Sequence, residues 1–185
     1  MTDGDRSMRR IPPDVLARAR AVRLVILDVD GVMTDGRIIY GSGGLELKAF
    51  DVQDGHGVKL FHRMGLRTAI ITGRTSDAVA RRAQELEIAD VIQGSKDKLA
   101  AYRELLARHA LADAQVACLG DDVTDLPLLA RAGLAVAVPG AVPEARAAAH
   151  YVTRRAGGRG AVREVLDLIL KAQGLWAQVL ARYLA

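Results

Sequence analysis

"LVILDVDGVMTDG", residues 24–36, decides the fold. It opens on branched apolar side chains without a polar break, the pattern of a strand buried on both faces. The stretch "LVILDV" (24–29) reads as that strand, and Asp28, Asp30 and Asp35 crowd its end. A lone buried carboxylate is expensive, and neighbouring ones repel each other. Such a strand end calls for a cation.

Outward from this stretch, short apolar strands alternate with helical patterns. "RTAIIT" (67–72), "DVI" (90–92), "QVACLG" (115–120) and "LAVAV" (134–138) read as strands. "GVKLFHRMG" (57–65), residues near 75–87 and near 97–109, "DLPLLARAG" (125–133) and roughly 160–173 read as helices. This order predicts an α/β fold, a doubly wound and mostly parallel sheet with helices on both faces. "GRIIYGSGGLELKAFDV" (36–52) breaks the alternation: two β-rich arms around "GSGG" predict a β-hairpin. It is too short for a second domain, so it reads as a flap beside the acids.

At 185 residues the chain is expected to form one domain, 1–185, with a tail at about 156–185. The apolar runs are strand-sized, which leaves no membrane span. "MTDGDRSMRRIPPDVLARAR" has basic residues but no apolar stretch behind them, so no secretory signal is expected. A single cysteine, Cys118 in "AQVACLG", fits core packing in a reducing cytoplasm. The net charge is +4, but the basic residues are scattered and aromatics make up 4% of the chain. A nucleic-acid groove would want aromatic platforms beside its cations; a small anionic substrate suits this balance better. His56 reads as solvent-facing, and His62, His109 and His150 lack metal-ligand spacing. Leu175, Trp176, Val179, Leu180, Tyr183 and Leu184 form a helical apolar stripe suited to packing.

In open parallel sheets, ligands sit beyond the carboxyl ends of the strands. Polar groups stand at four such ends: Asp28 with Asp30, Thr72-Gly73-Arg74, Gly94 with Lys98, and Gly120-Asp121-Asp122. Asp28 and Asp30 would share a face if the strand continued, and Asp121 and Asp125 would share a face at a helix start. Crowded carboxylates of this kind suit Mg²⁺, which takes few of them and works with phosphate oxygens. Asp122 reads equally well as a helix N-cap. Thr72, Lys98 and Arg74 offer a hydroxyl, a point charge and a fork to an anion. Metal, phosphate cradle and poised carboxylate together point to phosphoryl transfer.

"DVDGVMTDG", "ITGR", Lys98 in "GSKDKLAAY" and "GDDVTD" resemble, in order and spacing, the four motifs of the haloacid dehalogenase superfamily of phosphatases. The resemblance covers about residues 22–170. It implies Asp28 as nucleophile, Asp30 as general acid and base, and Thr72 and Lys98 on the phosphoryl group. Asp28, Asp121 and the backbone carbonyl of Asp30 would hold Mg²⁺, with Asp122 or Asp125 behind them. With only a hairpin between motifs, the chain resembles the capless branch. Within that branch the flap, "FDVQDGHGVK", "ITGR" and "GGRGAVREV" are similar to enzymes that dephosphorylate 3-deoxy-D-manno-octulosonate 8-phosphate on the route to lipopolysaccharide. The similarity places Asp30, Asp51, Val52, Gln53, Asp54, Gly55, Lys59, Arg74, Arg82 and Lys98 on the sugar acid phosphate. Lys59 stands where some relatives have Arg, so a bidentate grip would be lost there. Arg82 by its own context is an exposed helix residue. The resemblance also implies a homotetramer, with "GGRG" (157–160) as a flexible stretch carrying Arg159 to a neighbouring site; the alternative is a tail folded back on its own subunit.

Two other readings stand beside this one. A phosphatase for a nine-carbon sugar acid 9-phosphate would share the phosphoryl machinery and differ only at the sugar. A phospho-receiver domain would place its phosphoacceptor on a middle strand, but no acid ends "RTAIIT" and acids follow Lys98. That order is wrong for a receiver.

Overall fold

The computed structural model describes residues 11–184. The reading of the extreme N-terminus therefore falls largely on residues 1–10, outside those described. Helix α1 (Pro13–Ala21) leads into β1 (Leu24–Leu27), followed by the hairpin strands β2 (Ile39–Tyr40) and β3 (Glu46–Leu47). Then come α2 (Val52–Arg63), β4 (Arg67–Ile71), α3 (Asp77–Leu86), β5 (Asp90–Ile92), α4 (Lys98–His109) and β6 (Val116–Gly120). The chain ends through α5 (Leu126–Leu129), β7 (Leu134–Ala137), α6 (Pro143–Ala148), β8 (Tyr151–Val152), α7 (Ala161–Ala172) and α8 (Trp176–Leu184).

Six strands form one sheet in the order β5-β4-β1-β6-β7-β8, and every pairing is parallel. β1 lies in the middle, with Leu27 opposite Ile70 on one side and Leu119 on the other. All four of its residues are buried, which explains the unbroken apolar run. The chain winds one way from β1 to β5 and the other way from β6 to β8. With right-handed crossovers the connecting helices fall on opposite faces, and α1 and α2 indeed pack with α7 while α5 packs with α4 and α6. This is the doubly wound arrangement, with the strand order reversing between β1 and β6. No helix among the described residues is long and apolar enough to cross a membrane.

Several boundaries differ from the sequence reading. β1 stops at Leu27, because Val29 turns its carbonyl to three amides in succession, those of Val32, Met33 and Thr34. Asp28 and Asp30 therefore do not share a strand face. α2 begins at Val52 rather than 57, capped by the Asp51 carboxylate on the amides of Gln53 and Asp54. The helical segment 125–133 shortens to four residues after a 3₁₀ turn, Val123–Asp125. The hairpin at 36–52 is real, but each arm pairs over two residues only. Residues 157–158 are not a free tail. The Gly158 amide donates to Val32 O at 3.0 Å, and a Cβ at Gly157 would collide with Gly31 O. This stretch is sewn onto the loop after β1 of its own chain.

Candidate active site

The ends of β1, β4 and β6 meet at the reversal of strand order, and the chemistry gathers there. The Asp28 amide continues the ladder to Leu119 O, at 3.1 Å, so its carboxylate leaves the sheet at a fixed point. Across the ladder, Thr72 is held by its amide on Ile92 O (3.0 Å). Lys98 opens α4, behind the Asp97 cap. Its ammonium donates to Asp28 Oδ1 at 2.7 Å and to Asp125 Oδ1 at 2.6 Å, with all three side chains buried. A buried ammonium shared by two carboxylates is well compensated, whereas either acid alone would carry an unpaired charge.

Asp125 has a second task. Its Oδ2 accepts from the amides of Asp121 (3.0 Å) and Asp122 (3.3 Å), holding the turn after β6 in shape. Asp125 thus caps a tight turn instead of sharing a helical face with Asp121. Asp122 caps the amide of Val123 at 2.7 Å and is exposed, the N-cap reading of that residue. Asp121 has no ion-pair partner among the described residues, and its carboxylate reaches so close to Gly31 that a Cβ there would meet it.

Carboxylate oxygens of Asp28, Asp121 and Asp125 all lie within 4.8 Å of one another. Burial, then the negative charge of Asp125, pushes Asp28 up to about 6. Burial followed by the repulsion of Asp28 and Asp125 pushes Asp121 up to about 7. One ammonium does not neutralise three acids, and the donor set is all oxygen. These residues fit a hard divalent cation such as Mg²⁺.

The substrate-side positions divide. Arg74 reaches the flap, with Nη2 at 3.0 Å from Tyr40 Oη, and its Nε lies 3.9 Å from Asp30 Oδ2. Arg82 is not the free surface residue its context suggested. Its guanidinium lies over the Phe50 ring and donates to Asp51 O at 3.2 Å, over Gly55, where a Cβ would collide with it. Val52 and Gln53 are exposed at the start of α2, and Gln53 accepts from Arg155. Asp54 is buried, and it accepts from the amides of Gly160 (3.3 Å) and Arg163 (2.7 Å). Lys59 pairs with Glu87 at 2.6 Å, toward the amino ends of the strands, because α2 runs antiparallel to the sheet and carries it there.

The sequence reading missed Lys48 and Glu46. Both come from the flap, and Lys48 pairs with Asp30. The available signal was "ELK" on a hairpin arm beside acids, two charges at strand spacing where a solvated hairpin has no need of them.

Known proteins resemble this chain in sequence and fold. A profile described as haloacid dehalogenase-like hydrolase matches residues 70–166. A 3-deoxy-D-manno-octulosonate 8-phosphate phosphatase of Yersinia pestis is 52% identical over 163 residues, 88% of this chain and 87% of that one. The same enzyme from Moraxella catarrhalis, solved with magnesium ion, phosphate ion and a KDO molecule, is 44% identical. It superposes with a TM-score of 0.90 over 92% of this chain and 98% of the other. A cobalt-bound relative from Haemophilus influenzae, 37% identical, gives 0.82 over 85% and 92%. By the family profile and by relatives of this identity and coverage, the chain belongs to the haloacid dehalogenase-like hydrolases.

Proposed function

We propose that this chain is a phosphoric monoester hydrolase that converts 3-deoxy-D-manno-octulosonate 8-phosphate to the free sugar acid and phosphate. One observation carries the reading: the buried Asp28 carboxylate, held by Lys98 beside Asp121, in a chain about half identical to phosphatases of that substrate. Asp28 attacks phosphorus, the bond to the sugar oxygen breaks, and an aspartyl phosphate forms. Asp30 gives a proton to the departing alkoxide. It then takes one from the water that attacks the same phosphorus, releasing phosphate and restoring Asp28. Thr72 and Lys98 bind the phosphoryl group, and Lys98 offsets the charge of nucleophile and phosphate together. Asp28, Asp121 and the backbone carbonyl of Asp30 would hold Mg²⁺, which when bound neutralises developing charge on the phosphoryl oxygens.

Asp30, Asp51 to Gly55, Arg74, Arg82 and Lys98 form the substrate side of the site in this reading. Lys59 belongs to that side in the same reading, which requires it to leave the exposed pair it makes with Glu87. Residues 1–185 act as a single domain with the flap as its one insertion. The enzyme works in the cytoplasm, on the route to lipopolysaccharide, as a homotetramer assembled through its flaps. The outward apolar side chains of the flap support that assembly.

Phosphate release from a panel tests the reading: the eight-carbon acid 8-phosphate, a nine-carbon acid 9-phosphate and neutral sugar phosphates, with Mg²⁺ or with chelator. The eight-carbon substrate should give the highest kcat/KM, with no turnover in chelator or by Asp28→Asn. A preference for the nine-carbon acid would replace the substrate assigned here. Substantial turnover by Asp28→Asn would remove the mechanism.

A further inference from the structure

The flap delivers a buried cation to Asp30. Tyr40 and Glu46 face each other across the hairpin, and Lys48 lies two residues beyond Glu46 on the same face. On that face the Lys48 side chain is 0% exposed and Glu46 is partly covered, while the Tyr40 ring stays exposed at the hairpin tip. Its ammonium pairs with Asp30 Oδ1 and lies 3.9 Å from Glu46 Oε1. The second Asp30 oxygen looks the other way, toward Arg74 Nε at 3.9 Å. Arg74 in turn holds Tyr40 at 3.0 Å and Glu46 at 3.5 Å. Each oxygen of Asp30 therefore has its own cation, and both cations are tied to the flap.

Lysine stems ordinarily carry their charge out to water, and burying an ammonium is costly without a partner. A hairpin needing only to cover a surface would place an apolar or neutral side chain at this position. Asp30 sits in the loop after β1 rather than on the strand, so the ladder that fixes Asp28 does not fix it. Something else must hold its carboxylate.

We propose that Lys48 is a positioning residue for proton transfer: supplied by the flap, it holds the Asp30 carboxyl in line with the oxygen leaving phosphorus. The inference rests on the reading of Asp30 as the acid and base. It makes the flap part of the catalytic geometry and not only a cover.

The leaving group separates this role from the others. A neutral sugar phosphate expels a poor alkoxide that needs a proton and carries no carboxylate. An aryl phosphate such as p-nitrophenyl phosphate expels a stable anion that needs none. Comparing kcat/KM confines the measurement to steps up to that departure. Lys48→Met should lower kcat/KM at least tenfold on both the sugar acid phosphate and the neutral sugar phosphate, and less than threefold on the aryl phosphate. Lys48→Arg should recover part of the loss. Asp30→Asn, run alongside, should show the same selectivity in stronger form, since acid–base help is worth roughly 10²–10⁴-fold. Equal losses on all three substrates would make Lys48 a strut of the flap and overturn the proposal. A loss confined to the sugar acid phosphate would make it a carboxylate grip and overturn the proposal as well. If Asp30→Asn itself showed no selectivity, the acid role would fall and this inference with it; selectivity in Asp30→Asn but not in Lys48→Met would overturn the inference alone.

Discussion

Asp28 and Asp121 are carboxyls that give up their protons less readily in the folded chain than in water. Their ordinary value is 3.8, and burial with mutual repulsion lifts them to about 6 and about 7. Asp54, also buried, rises to about 6. A group whose folded value is raised binds more protons in the native state than in the unfolded chain. Its stabilising share is complete below about 4 and is lost as the pH climbs through 6 to 7. The metal-free protein should therefore lose thermal stability between pH 5 and pH 8. Mg²⁺ competes with those protons for Asp28 and Asp121, so it should stabilise strongly at pH 8 and little at pH 5. At a hundredfold excess over its dissociation constant the gain is about 2.7 kcal/mol, on the order of 5–10 °C for a domain of this size. Melting curves in chelator and in Mg²⁺ at both pH values test this, and Asp121→Asn should abolish most of the Mg²⁺ shift. A Tm indifferent to Mg²⁺ at pH 8 would rule out a cation at this cluster. At this scale the sequence was informative where chemistry is local. Asp28, Thr72, Lys98 and Asp121 could be picked out because each follows a strand, and strands end where ligands bind. Lys48 carried only the weaker signal of the charges in "ELK", because arms that pair over two residues do not show which face turns toward Asp30.

Short strands and long helices carried unequal signals at the level of elements. The central strands were legible to within a residue or two, since burial on both faces leaves an unbroken apolar run. α1, α6 and β8 were missed: β8 has two residues and α6 six, too few for a period to show. The start of α2 was hidden by Gly55 and Gly57, poor helix formers. They stand there because Arg82 and Arg163 lie against the helix where a Cβ would intrude. The same region explains Asp54. Helix α7 has Gly160 at its N-cap, with no side chain to satisfy the first amides, and Asp54 reaches across from α2 to do so. Losing a buried acceptor leaves those donors unpaired, a cost of roughly 1–3 kcal/mol. Asp54→Ala should lower the unfolding free energy from urea titration by an amount of that order, while Asp54→Asn, which keeps an acceptor oxygen, should lose distinctly less. Equal losses from Ala and Asn would mean that charge, not the bond to the Arg163 amide, is what Asp54 contributes.

The whole molecule is where the flap stops making sense as part of a lone chain. Its charged side chains, Glu46 and Lys48, turn inward, and its apolar pair turns out: Ile39 lies opposite Leu47, 55% and 48% exposed. A hairpin facing water should show the reverse arrangement. Two-residue arms are marginal alone, and the inward ion pairs hold one face only, so a partner surface is needed for the other. The tail offers a poor substitute, since residues 157–158 are packed under the loop after β1 and Tyr183 of α8 contacts His56 and Arg63 of α2. Docking between flaps of different chains, as in the proposed tetramer, would cover Ile39 and Leu47 and hold Lys48 against Asp30. Sedimentation velocity should then give a four-chain species at assay concentration, and Ile39→Asp with Leu47→Asp should shift it to smaller ones. Because the flap would lose its outer support, kcat/KM for the sugar acid phosphate should fall at least tenfold in the dissociated variant. The Mg²⁺-dependent melting shift should survive, since Asp28 and Asp121 belong to the sheet of one chain. A monomer with full activity would leave the flap to its own chain, and loss of the Mg²⁺ shift along with assembly would show that the two charges reach further than the fold of one subunit.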